Sequence, residues 1–157
     1  MKDHLKGFSI LELLVVVAII AIMAGVTYPN FMKWYMKKEL HADAQKLFDY
    51  LSEVQQLSQN NNAMYRVRLT GSGEVWVTSH KEINCNTTNS VNWPAETLEF
   101  SLANSTVPYW SSPEFCSDGS CRGDGTFELK HREDPDLGTY KITRTTGGCL
   151  FKLDKKN

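Results

Sequence analysis

Cysteine is absent from the first 84 of the 157 residues, and the four present, Cys85, Cys116, Cys121 and Cys149, all lie in the polar second half. No CxxC spacing occurs among them, so a zinc site would have to recruit His80 or His131; two disulfides outside the cytoplasm are the simpler reading. Cys116 and Cys121 bracket SDGS, a short loop that a disulfide closes easily, which would leave Cys85 to pair with Cys149. Four cysteines still allow three connectivities, and all three stay open at this point. Net charge is also lacking: 17 basic residues stand against 18 acidic ones, a formal −1, so the chain as a whole is no electrostatic magnet for nucleic acid. Internal repeats are absent. The histidines His4, His41, His80 and His131 adjoin no serine or cysteine in a nucleophile motif. No catalytic residue, metal ligand or cofactor is therefore expected, and the chain reads as a non-enzyme.

What charge there is lies unevenly. Residues 79–129 carry 2 Lys/Arg against 7 Asp/Glu, whereas residues 130–157 carry 7 against 4. Near the start, from Phe8 to Val26, only Ser9 and Glu12 are frankly polar. Nineteen helical residues at about 1.5 Å each reach roughly 28 Å, close to the thickness of a bilayer's hydrocarbon core. A secretory signal peptide would need a small-residue cleavage site after this run, but no A-x-A pattern follows Ala24 and Gly25. The remaining chain is also too small to surround a fully apolar core helix. A single membrane anchor is the expectation. Glu12 is then costly, by about 2.5–3.5 kcal/mol for an acid at mid-bilayer, and it asks for a partner. A free α-amino group four residues upstream, on its own or a neighbouring chain, would supply one.

The stretch KG|FSILELLVVVAIIAIMAGVTYP, with a short basic leader ending in Gly7, then Phe8, Glu12 and an unbroken apolar helix, resembles a type IV prepilin signal. The resemblance implies cleavage between Gly7 and Phe8 by a prepilin peptidase, N-methylation of Phe8, and a subunit-to-subunit contact by Glu12. It implies as partners the other major and minor pilins or pseudopilins and an inner-membrane assembly platform. Lys2, Asp3 and Lys6 give the leader a net charge of +1. A basic flank stays in the cytoplasm, which would leave the bulk of the chain in the periplasm, anchored in the inner membrane until it joins a pilus or pseudopilus. The expected divisions are a leader at 1–7, an anchor and assembly helix at 8–28, and a periplasmic domain at 29–157.

Beyond Pro29, which should kink or locally open a helix rather than end it, Leu40, Ala44, Leu47, Leu51 and Val54 recur at spacings of four and three. This apolar stripe predicts an amphipathic helix to about residue 62, packed on a sheet. Trp34 and Tyr35, beside Lys33, Lys37 and Lys38, suit a membrane-interface belt or a filament contact. Alternation then predicts strands in YRVRLT (65–70), EVWVTSH (74–80), TLEFSLA (97–103), GTFELKH (125–131), TYKITRT and CLFKLD. Residues 81–96 and 104–124, rich in Asn, Ser, Pro and Gly, read as loops. The fold class is α+β, a long N-terminal helix packed on an antiparallel sheet, which also matches the pilin architecture that the resemblance implies.

Two further features carry weaker chemistry. Asp118 and Asp124 lie in a Gly-rich stretch, SDGSCRGDG, but lack the alternating acids and terminal Glu of an EF-hand, so a turn is preferred to a calcium site. Lys130, Arg132, Lys141 and Arg144 give the C-terminal strands a basic character suited to phosphate. The order of elements is similar to the minor GspH/FimT/FimU group of type II secretion pseudopili and type IV pili, whose tip complexes prime or cap assembly. Similar minor pilins include DNA receptors for natural transformation, some with an arginine-bearing motif near the C-terminus. Here TRTTGGCLFK holds a single arginine, so a solvated strand face is preferred. A major pilin is the other alternative.

Overall fold

The computed structural model describes residues 9–80, 85, 94–109, 112–123, 125–145 and 149–156. The chain divides into two compact units, Met1–Tyr35 and Met36–Asn157. A single helix, α1 (Ile10–Asn60), contributes to both. In the first unit it starts at Ser9, whose side-chain oxygen accepts a bond from Leu11 N at 3.3 Å, an N-cap that satisfies one orphan donor. It runs on through Pro29, whose missing N–H leaves the Gly25 carbonyl without its usual helical donor.

In the second unit, Leu40, Ala44, Leu47, Leu51 and Val54 are all buried, as their spacing predicts, and Ser58 extends the buried stripe by one more turn. The Ser58 hydroxyl faces both Gln55 O at 2.8 Å and Cys116 O at 3.1 Å, which makes a polar group tolerable at a fully buried position. The helix ends at the Asn60–Asn61–Asn62 run. Asn62 takes a left-handed conformation (φ 47°). Asn62 N then bonds to Gln59 O and Ala63 N to Ser58 O, the paired bonds of a Schellman cap. Asparagine suits that place because its short polar side chain tolerates the left-handed region better than most residues do.

Two antiparallel sheets follow. The first has the order β3-β2-β1-β5-β6, from strands β1 (Met64–Leu69), β2 (Glu74–His80), β3 (Thr97–Ser101), β5 (Glu114–Phe115) and β6 (Cys121–Arg122). The second has the order β4-β7-β8-β9, from β4 (Ser105–Tyr109), β7 (Thr126–His131), β8 (Thr139–Arg144) and β9 (Phe151–Lys156). Their inner faces supply Val67, Leu69, Val75 and Phe115 on one side and Val107, Phe127, Leu129 and Ile142 on the other to one core shared with the helix stripe. The helix meets both sheets. His41 stacks on Tyr140 of β8, while nine residues on Tyr50 meets Phe100 of β3 edge-on at 5.1 Å. Asp43 also fixes the start of β4, accepting bonds from Asn104 N (3.1 Å) and Ser105 Oγ (2.8 Å).

The expected strands all form, but the region 104–124 is not simply loop: it holds β4, β5 and β6. Its Pro108 hides β4 from a sequence reading. Proline lacks a ladder donor and is tolerated at an edge, and β4 is an edge strand whose register shifts between Thr106 and Tyr109. β5 and β6 are two residues each, too short for alternation to register. Most of 81–96 lies outside the described residues.

The β1–β2 hairpin turns at Gly71–Ser72–Gly73, where Gly73 has φ +87° and a Cβ would lie 2.8 Å from Ser105 O. Backbone conformation and close approach both demand glycine there. Tyr50 reports on the helix–sheet contact. Burial, and then the negative charges of Glu99 and Glu53, push its phenol well above the ordinary value of 10.0. The folded protein thus holds this proton more tightly than the unfolded chain does. That contribution is intact below pH 10 and is lost as pH rises further. The urea midpoint should fall with pH above that point, and the fall should be shallower in Tyr50→Phe; equal slopes would refute the buried-phenol account.

Candidate functional site: the N-terminal helix and the basic strands

Glu12 stands in the first turn of α1. A carboxylate there is favoured by the positive end of the helix dipole. Around and beyond it, every large apolar side chain from Ile10 to Val26 is exposed, between 46 and 80 %. This is the one helix among the described residues long and apolar enough to cross a membrane. Nothing in its own unit offers the apolar surroundings that such a surface demands, so a bilayer or other helices must do so. Gly7 and Phe8, the expected cleavage pair, lie outside the described residues.

The basic residues of the C-terminal strands separate into two kinds. Lys130 and Lys141 alternate outward, away from the core positions Phe127, Leu129 and Ile142. Lys141 is flanked across the sheet by Glu128 and Asp154 and lies 3.8 Å from the Glu128 carboxylate. Lys152 pairs with Asp154 at 2.9 Å. The outer face thus mixes signs instead of forming a cationic strip. Arg132, although exposed, and the half-buried Arg144 both turn their guanidinium groups onto backbone carbonyls. The Arg132 guanidinium donates to Ser72 O (2.8 Å), Leu102 O (3.3 Å) and Ser105 O (3.3 Å), clamping the β1–β2 turn to the link between β3 and β4. Arg144 donates to Cys121 O at 3.0 Å, joining β8 to β6 across the two sheets. Sequence reasoning missed both roles, because no linear pattern separates an arginine aimed at carbonyls from a lysine aimed at water.

The cysteines pair as Cys85–Cys116 and Cys121–Cys149. This corrects the expected closure of the SDGS loop. In the β5–β6 ladder Phe115 stands opposite Cys121. Phe115 and Cys121 therefore share the face that packs against the core, and Cys116 follows just past the end of β5, itself buried. Cys121 reaches Cys149 in the core and ties the two sheets; the buried Cys116 reaches Cys85 and pins it beside the end of β5. Arg122 reinforces that pin by donating to Cys85 O at 3.0 Å. Sequence separations of 31 and 28 residues make each bridge worth about 3.5 kcal/mol on a loop-entropy argument.

The candidate metal ligands are otherwise engaged. His131 is buried, with Nδ1 accepting from Glu133 N (3.3 Å) and Asp134 N (3.4 Å) and Nε2 facing Glu39 at 3.5 Å. Asp118 accepts from Ser120 N (2.8 Å) and Ser120 Oγ (2.6 Å), bonds that hold its carboxyl below the usual range. Asp124 lies outside the described residues, among which no three His, Cys, Asp or Glu side chains gather to hold a metal.

The prokaryotic N-terminal methylation motif matches residues 4–28. Comparison with curated proteins and with solved structures returns no match. The motif marks a type IV pilin-like prepilin signal, and it supports a type IV pilin or pseudopilin, a structural class rather than a catalytic one. It implies processing by prepilin peptidase and assembly with other pilins, and the apolar helix fits the single membrane anchor of such proteins.

Arg132 gathers three carbonyls from an exposed position, so Arg132→Met should cost roughly 1 kcal/mol. Lys141→Ala on the outer face should cost under about 0.5 kcal/mol. Urea unfolding of the two variants compares them directly, and an Arg132→Met midpoint as high as the parent's would remove the clamp.

Proposed function

We propose that this protein is a minor pilin or pseudopilin that primes or caps a type IV pilus or a type II secretion pseudopilus. The peptidase cuts between Gly7 and Phe8, Phe8 is N-methylated, and Glu12 pairs with the amino terminus of a neighbouring subunit during assembly. Residues 1–7 are the leader, 8–28 the anchor and assembly helix, and 29–157 the periplasmic domain, held at the inner membrane until the subunit enters the filament.

The observation that carries this reading is the combination of the methylation motif over residues 4–28 with an apolar helix left wholly exposed by its own chain. A carboxylate inside such a surface is costly in lipid and useful only where a cation meets it. A neighbour's amino terminus is the cation that this processing chemistry creates. The two disulfides suit a domain outside the cytoplasm. The engagement of Arg132 and Arg144 with backbone carbonyls favours an assembly subunit over a DNA receptor.

Three strains test the reading. Deletion of the gene should abolish or sharply reduce surface filaments or secretion. Blocking the cleavage site at Gly7 should leave an uncleaved precursor in the membrane. Glu12→Ala should be cleaved normally yet be missing from sheared filaments. Full incorporation and activity of Glu12→Ala would overturn the assembly role of the carboxylate.

A further inference from the structure

The aromatic cluster at the far end of the apolar span has no part in the assembly chemistry just described. Tyr28, Phe31, Trp34 and Tyr35 fall within eight residues and are exposed at 66, 54, 53 and 47 % respectively. On a helix Tyr28, Phe31 and Tyr35 share one face at spacings of three and four. Trp34 broadens that face, its ring 5.8 Å from that of Phe31. Lys33 emerges on the opposite side of the helix, so polar tips and a cation surround it over about two turns.

We infer that these five residues form a girdle that seats in the phospholipid headgroup layer, at the end of the span away from Glu12. The inference rests on the membrane-anchor reading above and adds to it a fixed depth. Length supports the position. From Ile10, Tyr28 is 18 residues along the helix and Tyr35 is 25, or roughly 27 and 37 Å at 1.5 Å per residue. A hydrocarbon core of about 30 Å, about 40–45 Å with its headgroups, puts the cluster across the boundary when Ile10 sits at the other one.

Chemistry selects lipid over a second helix as the occupant. Tyr28, Trp34 and Tyr35 each join an apolar ring to a hydroxyl or indole N–H, which prefers a boundary with acyl chain on one side and phosphate or water on the other. Close helix–helix seams favour small side chains instead. Lys33 complements the phosphates, and its stem can lie along the apolar layer. The girdle thereby meters the helix: Glu12 lies 16 residues before Tyr28 and 22 before Trp34, about 24 to 33 Å away. It is held at the opposite boundary, where its charge is least costly and a partner's amino terminus can reach it.

Depth-dependent fluorescence quenching tests this on the full processed chain in phosphatidylethanolamine–phosphatidylglycerol vesicles. In one protein Trp76, Trp93 and Trp110 are replaced by Phe, leaving Trp34. A second adds Trp34→Phe and Ile20→Trp, which reports on the middle of the span. Trp34 should be quenched several-fold more by a spin label near the headgroup than by one deep in the acyl chain, and Ile20→Trp should show the reverse. A Trp34 quenched by aqueous iodide and by neither lipid, or most strongly by the deep label, overturns the girdle; a deep-quenched Ile20→Trp shows at the same time that the span itself stands. If Ile20→Trp is also unquenched by lipid, the anchor reading fails and the girdle falls with it. Should the multiple replacement not fold, Trp34→Phe alone serves: its loss of shallow-quenched emission relative to the parent supports the girdle, and unchanged shallow quenching overturns it.

Discussion

The buried stripe from Leu40 to Ser58 is the contact on which the rest of the second unit depends. Six helical positions at spacings of three and four bring one narrow apolar face against both sheets, so neither sheet can complete its core without the helix. Each large side chain buried there contributes about 1.5–3 kcal/mol. The stripe also fixes rotation about the helix axis. Asp43 is thereby aimed at the start of β4, His41 at Tyr140 and Tyr50 at Phe100.

Two short sheets sharing one core still have to be held together, and cross-links at a few points do this. Cys121–Cys149 and the Arg144 bond to Cys121 O tie β6 to the second sheet, while Arg132 gathers carbonyls from the β1–β2 turn and the β3–β4 link. Two of these ties use the arginines of the mildly basic C-terminal segment. Both of its arginines direct their planar guanidinium groups onto backbone carbonyls, Arg132 from an exposed position. Its outward lysines sit among Glu128 and Asp154.

The same helix changes its solvent along its length. From Leu40 onward its apolar residues make a stripe about one face wide, enough for a protein core. From Ile10 to Val26 they encircle it, which no single chain of this size can bury. The methylation motif falls on that encircling segment, and the one carboxylate within it sits in the first turn, where the helix dipole eases its charge.

Much of this was legible in the sequence because it depends on local periodicity and composition. The apolar span with its processing motif, the stripe with its period of 3.6, and strands such as EVWVTSH and GTFELKH each declare themselves within a window of a few residues. Strand β4 did not, since Pro108 masks an edge strand, and β5 and β6 are too short to alternate. The cysteine pairing turned on which distant segments the fold delivers: Cys149 comes to Cys121 and Cys85 to Cys116, although Cys116 and Cys121 are the nearest pair in sequence. The roles of Arg132, Arg144 and His131 were likewise decided only when distant carbonyls and carboxylates were brought to them. Sequence determined which segments bury apolar surface and at what period, because hydrophobic patterning is local; tertiary structure decided which polar groups meet, because a hydrogen bond or a disulfide depends on ångström-scale distances between residues far apart in the chain.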